Sequence, residues 1–118
     1  MSAHVESIPL HRKRGDDYPM EFTLFDDATP PVAINISGFA FQLVVDPSDC
    51  PVDSSGNVLD LTGVLSDAPN GVFQFNPTVL QMDITPDVYY YEIEMTDGAG
   101  NIRSIVKSKF IIEQDVVK

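Results

Sequence analysis

The chain has 118 residues, a length that fits one domain, 1–118, and suffices to bury a single core without metal or disulfide support. Its 18 acidic and 7 basic residues give a formal net charge of −11, which argues against nucleic acid and anionic membrane surfaces as partners. The lone cysteine, Cys50, excludes an intramolecular disulfide, and no run approaches the roughly 18 consecutive apolar residues of a membrane helix.

Turn-forming residues interrupt the chain at short intervals, a spacing that predicts an all-β sandwich or barrel. The N-terminal stretch, residues 1–13, reads as an arm or an edge strand over Val5 to His11, because Pro9 lacks a ladder donor. It lacks the pattern of a secretory signal, so export by that route is not expected. Met20, Phe22 and Leu24 alternate with Glu21, Thr23 and Phe25, which predicts a half-buried strand. Pro30 and Pro31 keep the following loop from forming a helix, and a short extended piece runs from Val32 to Ile36.

Phe39 to Val45 reads as a central strand with both faces partly buried. Asp46 to Asn57 is a long polar excursion, of a kind that is usually functional or mobile. Val58 to Leu65 reads as one strand with Leu59, Leu61 and Leu65 on a common face. After the Asp67 to Gly71 turn, Val72 to Phe75 forms a further strand. Pro77 to Thr85 is a crossover with room for about one helical turn, because proline suits a first helical position while Thr, Val and Ile discourage extension.

The clearest element is the hairpin from Asp87 to Ile112, two alternating arms around the polar tip Asp97 to Asn101. Tyr89, Tyr91, Ile93 and Met95 share one face of the first arm. On the second arm, strict alternation groups Ile102, Ser104, Val106, Ser108, Phe110 and Ile112, with Arg103, Lys107 and Lys109 opposite. Residues 113–118 are expected to fray. The expected total is about seven or eight strands, the complement of a two-sheet immunoglobulin-like antiparallel sandwich.

Tyr89 and Tyr91 follow a Pro-Asp turn, where such a sandwich carries its corner tyrosine and, two residues on, its second cysteine. Tyr89 should send its hydroxyl to backbone near Asp83 to Asp87. Phe22 is the expected counterpart of the first cysteine, so that an aromatic pair with Tyr91 replaces the disulfide, and Phe41 joins them as a structural residue. The segments RGDDYPM leading into FTLFDD, then INISGFAFQLVV, GVFQF and DVYYYEIEMTDGAGNIRSIVKSKFII, in that order, resemble the immunoglobulin-like domain at the N-terminus of phage baseplate upper proteins and in related phage tail and virion proteins. The resemblance spans about Arg14 to Ile112, and the chain departs from the pattern at Asp87, where glycine is usual, and in the Asp46 to Asn57 loop. It implies a structural module with neither catalysis nor cofactor.

Residues that carry chemistry are sparse. His4, His11 and Cys50 lie far apart in sequence and match no nucleophile or metal motif. Asp46, Asp49 and Asp53 are weak calcium candidates, since hard cations want several oxygens, but their spacing is not that of a calcium loop and solvated turn residues are the stronger reading. Arg14-Gly15-Asp16 spells a cell-attachment tripeptide, although a turn before a strand accounts for it more simply. The run His11, Arg12, Lys13 and Arg14 admits contact with an acidic neighbour or, as the favoured reading, simple solvation. Phe25, Tyr90 and Val44 fall opposite the core faces and would form an apolar interface patch if clustered.

The expected function is that of a non-enzymatic virion protein, located in the phage particle, assembled in the host cytoplasm, and docking other tail, baseplate or capsid-surface proteins as part of a homo- or hetero-oligomer. The alternative is a carbohydrate-binding or adhesive sandwich, with calcium as a possible aid. No cofactor is expected in the first case.

Overall fold

The hairpin forms over the predicted residues, and the other strands are arranged around it. A computed structural model describes residues 3–5, 9–26, 28–48 and 56–114. Its strands are β1 (Ala3–His4), β2 (Leu10–Lys13), β3 (Met20–Thr23), β4 (Phe25–Asp26), β5 (Ala40–Asp46), β6 (Leu59–Thr62), β7 (Val64–Asp67), β8 (Val72–Phe75), β9 (Asp87–Thr96) and β10 (Ile102–Glu113). A 3-10 turn, Ala68–Asn70, joins β7 to β8.

One layer is a five-stranded sheet in the order β2-β10-β9-β5-β6. The other is a three-stranded sheet, β3-β8-β7. β1 pairs with β4, which continues β3 beyond Leu24. Named by role, the layers are A-B-E-D and G-F-C, the second extended by a C′ strand, β6, and by a parallel A′ strand, β2. The chain is an all-β immunoglobulin-like sandwich. The described residues contain no helix long and apolar enough to cross a membrane.

The inner faces of both sheets meet in one apolar core. Tyr91, Ile93, Leu43, Val45, Phe110, Phe73 and Phe75 are almost wholly removed from water. The ring of Phe41 on β5 stacks on that of Phe73 on β8, with centroids 3.8 Å apart and planes within 4°. This pair joins the two layers.

Four expectations about element boundaries change. The predicted strand Val58 to Leu65 is two strands in different layers, with the crossing at Gly63. A Cβ there would lie 2.9 Å from Phe41 Cβ and 3.2 Å from the Phe41 carbonyl oxygen, so the chain can pass over Phe41 only as glycine. Of the predicted strand Val5 to His11, residues 6–8 lie outside the described residues and Val5 and Pro9 belong to no strand; the strands beside them are β1 and β2, and β2 does lie at a sheet edge, paired in parallel with Phe110–Glu113 of β10. Glu113, assigned to a fraying tail, closes β10 opposite Lys13; residues 115–118 lie outside the described residues. The fourth change is within β10, where register shifts between Ser104 and Val106. Ile105 is the extra residue of a bulge, so Ile102 and Ser104 lie opposite Thr96 and Glu94, away from the face of Val106.

The crossover behaves as expected. Met82 N donates to Thr78 O at 3.1 Å, closing one helical turn. Thr78 N donates to Gln81 Oε1 at 2.8 Å and Gln81 N donates to Thr78 Oγ1 at 3.1 Å, a reciprocal cap that fixes the turn and turns Met82 inward. The outward face of β5 is wetter than expected, with Ala40 and Gln42 exposed and Val44 half-buried.

Candidate functional site: the outer face of the five-stranded sheet

Side chains that alternate away from the core in β5, β9 and β10 form rows across the sheet. Register places Lys109, Tyr90 and Asp46 in one row and Lys107, Glu92 and Val44 in the next. Tyr90 therefore stands between a lysine strand and a carboxylate. With Pro9, Lys107 and Lys109 it borders an open cleft of about 550 Å³. A smaller recess of about 30 Å³, close to the volume of one water, lies beside it among Val44, Asp46, Asn57 and Tyr90. The cleft thus combines a half-buried aromatic ring with two ammonium groups, in a chain of net charge −11. Such a combination suits a polar protein surface with acidic side chains.

Asp46 is the unexpected member. It is 93% buried by the complement of its 7% exposure, with Oδ1 accepting the Ser48 N–H at 2.8 Å. Oδ2 has no hydrogen-bond partner among the described residues and lies where a Cβ on Gly56 would come within 3.2 Å. Its short turn-forming reach and its position at the end of β5 were visible in the sequence, but nothing local signals burial. As a calcium candidate it stands without Asp49 and Asp53, which lie outside the described residues. No group of three His, Cys, Asp or Glu side chains able to hold a metal occurs among the described residues.

The expected apolar cluster divides. Val44 and Tyr90 share the outer face and border the same recess, whereas Phe25 lies on β4, paired with His4 and bridged to Ala33 in the other layer. All three are half-buried. Exposed Val88 extends the Tyr90 side of the face, opposite Ile111.

The basic run is held within the chain. Arg12 is buried at 5% exposure, because its place opposite Ile112 puts it on the inner face of β2. Its guanidinium donates to the Tyr18 carbonyl and lies 3.7 Å from the centre of the Tyr18 ring. Burial lowers its pKa from the usual guanidinium value, opposed by Tyr18, Asp16 and Asp17. Lys13 and Arg14 pair with Glu113 at 3.1 Å and Asp83 at 2.7 Å. Gly15 and Asp16 form the turn, with Gly15 at φ +85° and Asp16 N donating to Lys13 O at 3.1 Å. His11 Nδ1 lies 3.1 Å from Glu113 Oε1, and Cys50 lies outside the described residues.

The structural residues occupy the core. Tyr89 donates its hydroxyl to Thr85 O at 2.7 Å, the expected corner contact. Burial, reinforced by Asp87, pushes its phenol above the usual 10.0. Phe22 packs its ring on Phe73 and Phe75, and Tyr91 packs edge-on against Phe110. A stacked pair joining the sheets is found one strand over from the expected Phe22 and Tyr91, at Phe41 and Phe73.

Comparisons with known proteins support the architecture alone. No protein-family model matches the chain, and no curated protein matches it. Among solved structures it is similar to CopC from Methylosinus trichosporium OB3b, with a TM-score of 0.52, 10% identity, and coverage of 96% of this chain and 95% of that one. Weaker similarities are to a family 123 glycoside hydrolase from Clostridium perfringens, with a TM-score of 0.39, 10% identity and coverage of 99% and 28%. A third is AggA, the major subunit of aggregative adherence fimbriae type I from Escherichia coli, with a TM-score of 0.35, 7% identity and coverage of 95% and 93%. At these identities the likeness to CopC speaks for a shared β-sandwich fold.

Proposed function

We propose that the chain is a non-enzymatic docking module of a phage particle, and that it meets a neighbouring virion protein through the outer face of its five-stranded sheet. The observation that carries the docking role is the cleft at Tyr90, which gathers Lys107 and Lys109 on an otherwise acidic chain. Supporting the phage context is the ordered set of sequence segments from Arg14 to Ile112 that resembles phage immunoglobulin-like domains.

The partner surface would carry acidic side chains toward β10 and an apolar contact for Tyr90 and Val88. Cryo-electron microscopy of purified particles tests both parts. The expected map places this chain in the particle with β9 and β10 against a neighbour, and Tyr90→Ala with Lys109→Glu reduces its occupancy at least tenfold. A chain missing from every particle, or one docked through the opposite layer, overturns the reading.

A further inference from the structure

The hairpin tip and the adjoining ends of β9 and β10 border a second recess. Phe39, Met95, Asp97, Asn101 and Arg103 line it, and its volume is about 480 Å³, within the roughly 300–1,000 Å³ of small-ligand sites. Strict alternation would place Arg103 outward with Lys107 and Lys109. The extra residue Ile105 instead sets Arg103 opposite Met95, whose side chain belongs to the core. Bulges re-aim side chains in this manner.

The recess therefore has an apolar floor of Met95 and half-buried Phe39, with an exposed guanidinium beside it. Asp97 lines the same recess but is occupied by its own turn. Its Oδ1 accepts the N–H groups of Ala99 at 2.9 Å and Asn101 at 3.0 Å, and Oδ2 accepts Asn101 Nδ2 at 3.4 Å. No ion pair or hydrogen bond to the Arg103 side chain is found among the described residues.

A guanidinium with no hydrogen bond or ion pair among the described residues, its charge felt by Asp97 across the recess, matches a carboxylate attached directly to an apolar group. We propose that this recess takes the C-terminal apolar residue of a partner polypeptide, with the carboxylate on Arg103 and the side chain on Phe39 and Met95. A terminal residue offers both groups at one point, whereas an internal acidic residue carries no apolar body of its own. Ionised Asp97 opposes every negative charge brought into the recess, so a ligand with one carboxylate on Arg103 is favoured over one with two.

Titration of the whole chain with N-acetyl-phenylalanine, followed by amide NMR, tests the assignment. The acid should shift the amides of Gly98, Ala99, Asn101 and Arg103, and N-acetyl-phenylalaninamide should bind at least tenfold more weakly. Arg103→Gln should lose at least tenfold in affinity for the acid with an unchanged melting temperature, while Lys107→Gln should bind as the parent does. Equal affinity for acid and amide, shifts centred on Tyr90, or no shift at millimolar acid overturns the proposal. So does equal binding of a blocked peptide with one internal aspartate.

Discussion

Arg12 shows how far a single side chain can depart from the behaviour of its type. A run of histidine, arginine, lysine and arginine reads as a solvated patch, yet alternation from Leu10 carries Arg12 inward, where the Tyr18 ring and carbonyl receive it. The parity was legible in the sequence; the existence of a parallel strand to enforce it was not. Arg12→Ala should cost about 1–3 kcal/mol in urea denaturation, since it removes the hydrogen bond to the Tyr18 carbonyl and leaves a void where the buried side chain lay. Lys13→Ala, which removes only an exposed ion pair, should cost less than about 1 kcal/mol. Tyr89 lies at the other extreme, because its role follows from a local turn and needs no knowledge of distant strands. Tyr89→Phe should lose about 1 kcal/mol at neutral pH. Its folded pKa is raised, so this contribution is present below pH 10.0 and is lost as pH rises through the folded value. The alkaline limb of a stability profile should accordingly flatten in the phenylalanine variant.

At the scale of elements, alternation identified strands reliably and failed at two places where the chain changes course. Leu59, Leu61 and Leu65 keep a period of two through Gly63, so hydrophobic pattern alone cannot reveal that the layer has changed between them. Only the contact with Phe41 explains the glycine. Gly63→Ala should destabilise the fold by about 1–3 kcal/mol, measured by thermal or chemical unfolding, because the neighbouring atoms are backbone and ring. Ile105 is the second place. Both Ile105 and Val106 touch the core, so no hydrophobic deficit marks the inserted residue, and alternation counted from Ile112 misassigns everything from Ser104 to the tip. Deleting Ile105 should make the ladder regular while leaving Arg103 opposite Met95 and Lys107 opposite Glu92, on different faces. The deletion variant should fold with a lowered melting temperature, because Ile105 packs against the core, and should keep N-acetyl-phenylalanine binding.

The whole molecule is governed by its negative charge and by a few pairs that hold its ends. A formal charge of −11 on 118 residues implies self-repulsion, so raising ionic strength from about 10 to 150 mM, which shortens the screening length from roughly 30 to 8 Å, should raise the melting temperature. Glu113 acts locally against that trend. The hydrogen bond from Lys13, followed by that from His11, lowers its pKa from 4.5. Its contribution is therefore present above pH 4.5 and disappears as pH falls through the lowered value, and Glu113→Gln should lessen acid sensitivity in thermal melts. The overall sandwich was visible from the spacing of turns and from Tyr89, since both are local signals. The location of the proposed binding surfaces was not, because they depend on which strands become neighbours: Phe25 and Tyr90 look alike in sequence and end in different layers.

The parallel pairing of β2 with β10 has a mechanical consequence. Leu10, His11, Arg12 and Lys13 face Phe110, Ile111, Ile112 and Glu113 with both strands running the same way. Tension drawn backward along the chain from Leu10 and forward from Glu113 therefore slides the strands past one another and loads their hydrogen bonds together. An antiparallel pair pulled from one end would open one bond at a time. This short seam, clamped on its outside by Lys13 and Glu113, would give the domain resistance to stretching along its length out of proportion to its four register pairs.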